Sequence, residues 1–117
     1  MAMRVSGQAF ETVGEGIIAQ VFGGGKAFVQ DGGRAEVYEG GQAIVEGGGG
    51  AIVHDGGKAY VHEGGRVVVQ EGGLVEVLDG GQAIVEGGEV EVHAGGKAWV
   101  YPAGKAYGEG EIIRVLS

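Results

Sequence analysis

The side chains that could do chemistry are few in this sequence, and their spacing keeps them apart. The chain has three histidines and no cysteine, and its serines are Ser6 and Ser117. A serine nucleophile needs a general base within hydrogen-bond reach. Because the two serines lie near opposite ends of the chain, no nucleophile–base pair is formed, and we expect a protein that is not an enzyme.

The histidines are the first candidates for metal ligands. In the repeat described below, His54 falls on one face, and His62 and His93 fall on the other, two coils or about 10 Å apart. A zinc site needs ligands that converge on one ion. We therefore predict no metal site and no cofactor.

Net charge and hydropathy argue against several other classes of protein. The net charge is -8, with 8 basic and 16 acidic residues, whereas a phosphate-binding surface needs clustered lysine and arginine. Nucleic-acid binding is therefore not expected, although an acidic surface can mimic a nucleic acid. No segment is apolar enough to span a membrane, and the first residues lack the apolar run of a signal peptide. We expect a soluble protein and assign no compartment.

Glycine pairs divide the chain into units of eight residues from residue 24 onward. The consensus is G-G-x-[AV]-x-V-x-[DE], whose positions we number one to eight, and the unit beginning at Gly88 is one residue short. Positions four and six carry alanine or valine. Because they are two residues apart, they share one face of a strand. The pattern predicts a short β-strand with one buried face in every unit.

The small inward residues indicate how many units form one coil. Alanine and valine fill a thin slab between two sides, whereas a three-sided coil needs larger residues inside. A meander of antiparallel hairpins also suits glycine pairs, but a continuous coil gives every unit the same environment. We therefore predict an all-β fold, a flattened two-sided parallel β-solenoid with about 16 residues, or two octads, per coil.

The octads resemble the octapeptide-repeat β-solenoids of bacterial and phage proteins, in which A-x-V forms the strand core. The resemblance covers residues 24–110 and implies a rigid repeat architecture, but little about function, because solenoids serve many tasks. The calcium-binding nonapeptide roll is superficially similar. Its aspartate position is held here by Val29, Val37 and their equivalents, so calcium binding is not expected.

Residues 16 apart become neighbours across adjacent coils, which predicts the composition of each outer face. At position five, one face carries Glu36 followed by apolar residues, and the other changes from apolar to acidic. Four consecutive outward apolar residues are unusual for a monomer and predict a contact surface, although β propensity alone also favours such residues in strands. The candidate interface or binding residues are Ile52, Val68, Ile84, Trp99 and Tyr101 on one face, and Phe28, Ile44 and Tyr60, followed by Glu76 and Glu91, on the other.

Both termini leave the consensus and become bulkier. We predict three segments: an N-terminal cap or first irregular coil over 1–23, the octapeptide β-solenoid over 24–110, and a C-terminal capping strand over 111–117. Such ends either cover the exposed sheet edges or join chains. The candidate capping residues are Ile17, Ile18, Phe22, Ile112, Ile113 and Leu116.

These observations favour a non-catalytic structural or assembly protein that self-associates through a flat outer face or through its bulky ends. A homo-oligomer is the expected state. The alternatives are a module that binds a glycan or a protein through outward aromatic residues such as Tyr60, Trp99 and Tyr101, and an acidic mimic of a nucleic acid.

Overall fold

Fifteen short β-strands in the described part of the chain alternate between two sheets. The computed structural model describes residues 2–7 and 10–115, and all strand pairs among them are parallel. The described residues include no helix long and apolar enough to cross a membrane. The eight-stranded sheet contains β1 (Ala2–Val5), β3 (Ile18–Val21), β5 (Arg34–Val37), β7 (Gly50–Val53), β9 (Arg66–Val69), β11 (Gln82–Val85), β13 (Lys97–Val100) and β15 (Glu111–Arg114). The seven-stranded sheet contains β2 (Phe10–Val13), β4 (Lys26–Val29), β6 (Gln42–Val45), β8 (Lys58–Val61), β10 (Leu74–Val77), β12 (Glu89–Val92) and β14 (Lys105–Gly108).

The strand registers confirm the predicted coil of two octads. Ile52 pairs with Val68, and Val68 pairs with Ile84, so each of these coils takes two complete octads. The shortened unit makes the next step one residue shorter, and Ile84 therefore pairs with Trp99. The last step, from Trp99 to Ile113, is shorter again by one residue. The chain is therefore a two-sided parallel β-solenoid, as expected from its small inward residues.

The core is a stack of alanine and valine between the two sheets. Every described position-six valine from Val29 to Val100 is at most 1 % exposed, because alternate side chains of a strand point to the same side. The position-four residues of the same coils are also buried. Each valine thus lies over the valine of the next coil, as Val45 over Val61.

The first glycine of most pairs adopts the positive φ that the turn between two strands requires. Gly40 has φ of 82° and Gly56 of 81°, values that an L-residue with a side chain rarely adopts. The N–H of Gly41 donates a hydrogen bond to the carbonyl oxygen of Tyr38 at 2.8 Å, so Gly40 occupies the third position of a tight turn, where positive φ is required in type II turns. The same turn follows most strands after the position-six valine; an exception is β11, where Gly87 does not have positive φ.

The second glycine of each pair allows the coils to approach closely. A Cβ atom added to Gly65 would lie 2.6 Å from the carbonyl oxygen of Val45, in the preceding coil. The backbone N–H of Gly64 donates to the carbonyl oxygen of Gly80 in the following coil at 3.2 Å. Hydrogen bonding between coils therefore continues from the strands into the turns.

Strand pairing extends on both sides of residues 24–110. β1 pairs with β3 and β2 pairs with β4 in the same registers as later strands, so strand pairing begins before residue 24. At the other end, β15 pairs with β13, in the segment predicted to be a capping strand.

Candidate interaction surface

The outer face of the eight-stranded sheet carries a continuous row of apolar side chains. The registers place Ile52, Val68, Ile84 and Trp99 next to one another, as the sequence predicted, and add Ile113 beside Trp99. We call these five residues the apolar ladder. Ile84 is 38 % exposed, and the other members are half-buried by their neighbours. The ladder spans about 19 Å along the coil axis at the ordinary strand spacing.

Two rows of different chemistry flank the apolar ladder. Position three of the odd-numbered strands forms the basic edge, with Arg34, Arg66 and Lys97 separated by Gly50 and Gln82. The neutral residues between them keep like charges about two strand spacings apart. Position seven forms the aromatic edge, which contains Tyr38, His54 and Tyr101 with Gln70 and Glu86 between them.

The basic edge and the apolar ladder enclose a shallow groove on this face. It has a volume of about 920 Å³, and its walls include Arg34, Arg66, Ile52 and Trp99. Gly50 lies at its floor between the two arginines, and a Cβ atom added to Gly50 would meet no atom closer than 3.8 Å. The missing side chain of Gly50 therefore leaves space in the groove between the two arginines.

Local contacts fix several side chains of this face. The Tyr38 hydroxyl donates a hydrogen bond to Glu36 Oε1 at 2.9 Å, and the Tyr38 ring stacks on the His54 ring with centroids 4.7 Å apart. This hydrogen bond to Glu36, together with partial burial and the carboxylate charge, raises the pKa of Tyr38. Lys97 Nζ lies 5.2 Å from the centroid of the Trp99 ring, a distance at which cation–π attraction acts.

The outer face of the seven-stranded sheet changes character along its length. Phe28, Ile44 and Tyr60 are consecutive in register, and Phe28 contacts the Phe10 ring edge-on at 4.8 Å between centroids. Glu76 follows Tyr60 in the next strand. The apolar row of this face is thus shorter than the apolar ladder.

The acidic half of that face brings a histidine to two glutamates. His93 Nε2 lies 3.3 Å from Glu76 Oε1 and 4.0 Å from Glu91 Oε1, and one ligand atom from each residue lies within 4.8 Å of the others. We call these residues the carboxylate–histidine group. The repeat pattern predicted His93 on the same face as His62 but two coils away, and we did not predict glutamates as its partners. The repeat spacing could have indicated this contact. Glu91 and His93 are two residues apart, so they point to the same side, and Glu76 is the register neighbour of Glu91.

A tyrosine adjoins the carboxylate–histidine group. Tyr107 is the register neighbour of Glu91 and is 50 % exposed. Partial desolvation of its ring, followed by the charges of Glu89 and Glu91, raises the pKa of the Tyr107 hydroxyl. Negative charge is therefore concentrated at this end of the face.

The predicted capping residues divide between the core and the surface. Ile17 and Ile112 are partly buried and pack against the core. Ile18 is 47 % exposed, and Ile113 belongs to the apolar ladder, because adjacent residues of a strand point to opposite sides. Phe22 is half-buried, and Arg4 Cζ lies over its ring, 5.3 Å from the ring centroid. Leu116 lies outside the described residues.

Charged residues occupy inward registers at both ends of the solenoid. Glu11 pairs with Ala27 in β4, and Arg114 pairs with Val100 in β13. Both charged residues are exposed, although the registers they occupy are buried elsewhere. Inward-pointing charges at a sheet edge discourage further strands from adding there.

Comparison with known proteins identifies the architecture of this chain. Neither protein-family models nor curated proteins match its sequence. Among solved structures, the hyper-glycosylated TibA55-350 fragment, whose glycosylation TibC catalysed, is similar at a TM-score of 0.57 and 24 % sequence identity. The match covers 91 % of this chain and 51 % of the TibA chain, so this chain spans about half the length of that structure. At this identity the likeness shows the fold alone, which is a parallel β-solenoid.

Proposed function

We propose that this chain is a non-catalytic structural repeat protein that self-associates face to face through the apolar ladder. The observation that carries the proposal is the unbroken register of Ile52, Val68, Ile84, Trp99 and Ile113 on the outer face of the eight-stranded sheet. Burying apolar surface contributes about 25 cal/mol per Å², and contiguous exposed apolar surface of this kind is typical of interaction sites. The solenoid likeness to TibA supports the class of structural repeat protein and does not identify a partner.

The two edges of this face favour a second copy of the chain as the partner. A two-fold axis parallel to the coil axis lays the apolar ladder of one copy on that of the other. The same operation places the basic edge of one copy over the aromatic edge of its partner. The cationic group of an arginine or lysine is attracted to the face of an aromatic ring, as Lys97 is to Trp99 within one chain. The two edges of the face are therefore complementary to each other in such a dimer.

The ends are the less favourable place for self-association. Stacking one solenoid on another would bury Glu11 and Arg114 at inward registers of the new strand pairs. Burying a charge in this thin apolar core is costly even when an opposite charge is near. We therefore assign the contact to the face rather than to the ends.

The test is the mass of the particle in solution, measured by analytical ultracentrifugation over a wide range of protein concentration. The unmodified chain is expected to dimerise. Ile52→Asp, Val68→Asp and Ile84→Asp are each expected to weaken dimerisation by about tenfold or more, because each buries an unpaired carboxylate in the interface.

Ile44→Asp is the matched control, because Ile44 has the equivalent outward position on the other sheet and is also half-buried. It should leave the dimer intact. A monomer at all concentrations, or a dimer that survives all three ladder substitutions, would contradict the proposal.

A binding module is the second candidate, and the groove is the observation that favours it. Trp99 and Tyr101 line the groove beside Arg34 and Arg66, and such a combination of aromatic and hydrogen-bonding groups suits a glycan. A strictly monomeric chain whose Trp99 fluorescence responds to an oligosaccharide would favour this function over self-association.

A further inference from the structure

The carboxylate–histidine group assembles three potential metal ligands from two neighbouring coils. Glu76 comes from β10, Glu91 from β12, and His93 directly follows β12. Their ligand atoms lie within 4.8 Å of one another, and each side chain is about two-fifths exposed. A small rotation of such side chains can direct all three ligand atoms at one ion. The remaining coordination positions would be open to water.

The pairing of the two glutamates is unusual within this molecule. Glu76 and Glu91 are direct register neighbours, and like charges at such a position repel. Glu76 and Glu91 are the exception among the strand pairs that the structure describes. All remaining charged residues in these pairs have a register neighbour that is neutral or of opposite charge, as Glu89 has Lys105. A cation between Glu76 and Glu91 would remove the repulsion at the one place where it arises.

The donor atoms indicate which cation fits. Calcium and magnesium prefer six or more oxygen ligands, whereas imidazole suits zinc and related transition metals. Imidazole nitrogen and carboxylate oxygen are both zinc ligands, and zinc sites with three protein ligands leave a further position to water or another ligand. We propose that Glu76, Glu91 and His93 form a binding site for a divalent transition metal of the zinc class.

The surroundings of the group carry charges of both signs. Besides partial desolvation, Glu89 and Glu91, which lie on the same strand, help to raise the pKa of the Tyr107 hydroxyl, and Lys105 is the register partner of Glu89. The site lies on the seven-stranded sheet, opposite the apolar ladder. Zinc binding and dimerisation are therefore separate properties, and either can fail without the other.

The test is isothermal titration calorimetry of the full chain with zinc chloride at neutral pH, with magnesium chloride titrated in parallel. One zinc ion per chain is expected, together with a much weaker response to magnesium. NMR spectra recorded during the titration should show that the ring signals of His93 shift while those of His54 and His62 do not. No zinc binding, or a response of all three histidines alike, would overturn the proposal.

Substitutions separate a metal site from a simple ion pair. His93→Gln, Glu76→Gln and Glu91→Gln should each weaken zinc binding by about tenfold or more, since loss even of a residue that only supports a ligand costs that much. His93→Lys keeps a positive charge beside the glutamates but should not bind zinc, because the ammonium has no free electron pair at neutral pH.

His62→Gln is the matched control, because His62 follows β8 on the same sheet and belongs to no three-ligand group among the described residues. It should bind zinc as the unmodified chain does. Zinc affinity that is retained by His93→Lys, or lost equally in His62→Gln, would overturn the proposed site.

Discussion

Two glycines separate one strand from the next, and the backbone makes a different demand on each. Gly64 has φ of 84°, which costs an L-residue with a side chain about 1 kcal/mol or more. Gly65 has ordinary φ, but its missing Cβ leaves room for the carbonyl group of Val45. The first glycine is thus required by conformation and the second by packing between coils.

Alanine substitutions should distinguish the glycines of the turns from a glycine of the surface. Gly65→Ala is expected to lower the free energy of unfolding by about 1–3 kcal/mol, because the new methyl group forces the two coils apart. Gly50→Ala places the same methyl group in open space, so it should be neutral or stabilise by about 0.4–1 kcal/mol. Urea denaturation followed by circular dichroism measures both, and equal losses would contradict the packing explanation.

The hydrogen bond between Tyr38 and Glu36 predicts a dependence of stability on pH. The pKa of Tyr38 is raised above its ordinary value of 10.0, so the folded chain holds this proton more tightly than the unfolded chain does. The hydrogen bond therefore contributes its full stabilisation below the pKa that Tyr38 has in the unfolded chain. This stabilisation is lost as the pH rises through the pKa that Tyr38 has in the folded chain.

Glu36→Gln should lower the pKa of Tyr38 toward its ordinary value, because it removes the carboxylate charge. Titration of the Tyr38 ring carbons by NMR in the unmodified chain and in Glu36→Gln measures this change. An unchanged Tyr38 pKa in Glu36→Gln would show that the carboxylate is not its cause.

At the scale of the strand, direction of the side chain matters more than its size. Ile44 and Val45 are adjacent in β6, but Ile44 faces outward and is half-buried, whereas Val45 is fully buried between the sheets. Removal of a buried methyl group leaves a cavity as well as losing transfer free energy. A core of alanine and valine has no larger neighbours that could fill such a cavity.

Val45→Ala is therefore expected to cost more stability than Ile44→Ala, although isoleucine is the larger residue. We expect a loss of about 1–3 kcal/mol for Val45→Ala and about 1 kcal/mol or less for Ile44→Ala. Thermal and urea unfolding of the two variants measure the difference. The opposite order would mean that position six does not face the core.

For the molecule as a whole, the coils make the two outer faces chemically different. One sheet carries the apolar ladder between a basic and an aromatic edge, and the other changes from aromatic and aliphatic residues to the carboxylate–histidine group. Stacked identical coils leave few concave sites, so function is expected on the faces rather than in a deep pocket. Assembly on one face and metal binding on the other can therefore coexist in one small rod.

The repeat by itself determined the architecture and most of the outer rows. Alternation of small apolar residues fixed the strand faces, and the octad period fixed the neighbours of Ile52, Val68, Ile84 and Trp99, because parallel coils repeat one local environment. The shortened unit could also be located in the sequence, so the pairing of Ile84 with Trp99 was predicted correctly.

Only the tertiary structure decided what happens where the repeat breaks down. The shorter final step places Ile113 outward beside Trp99, whereas the sequence led us to expect Ile113 as a capping residue. Likewise, the orientation of the His93 ring toward Glu76 and Glu91 depends on side-chain rotation across two coils. Periodicity specifies which face a residue occupies, but distances between side chains of different coils follow from the folded backbone and its packing.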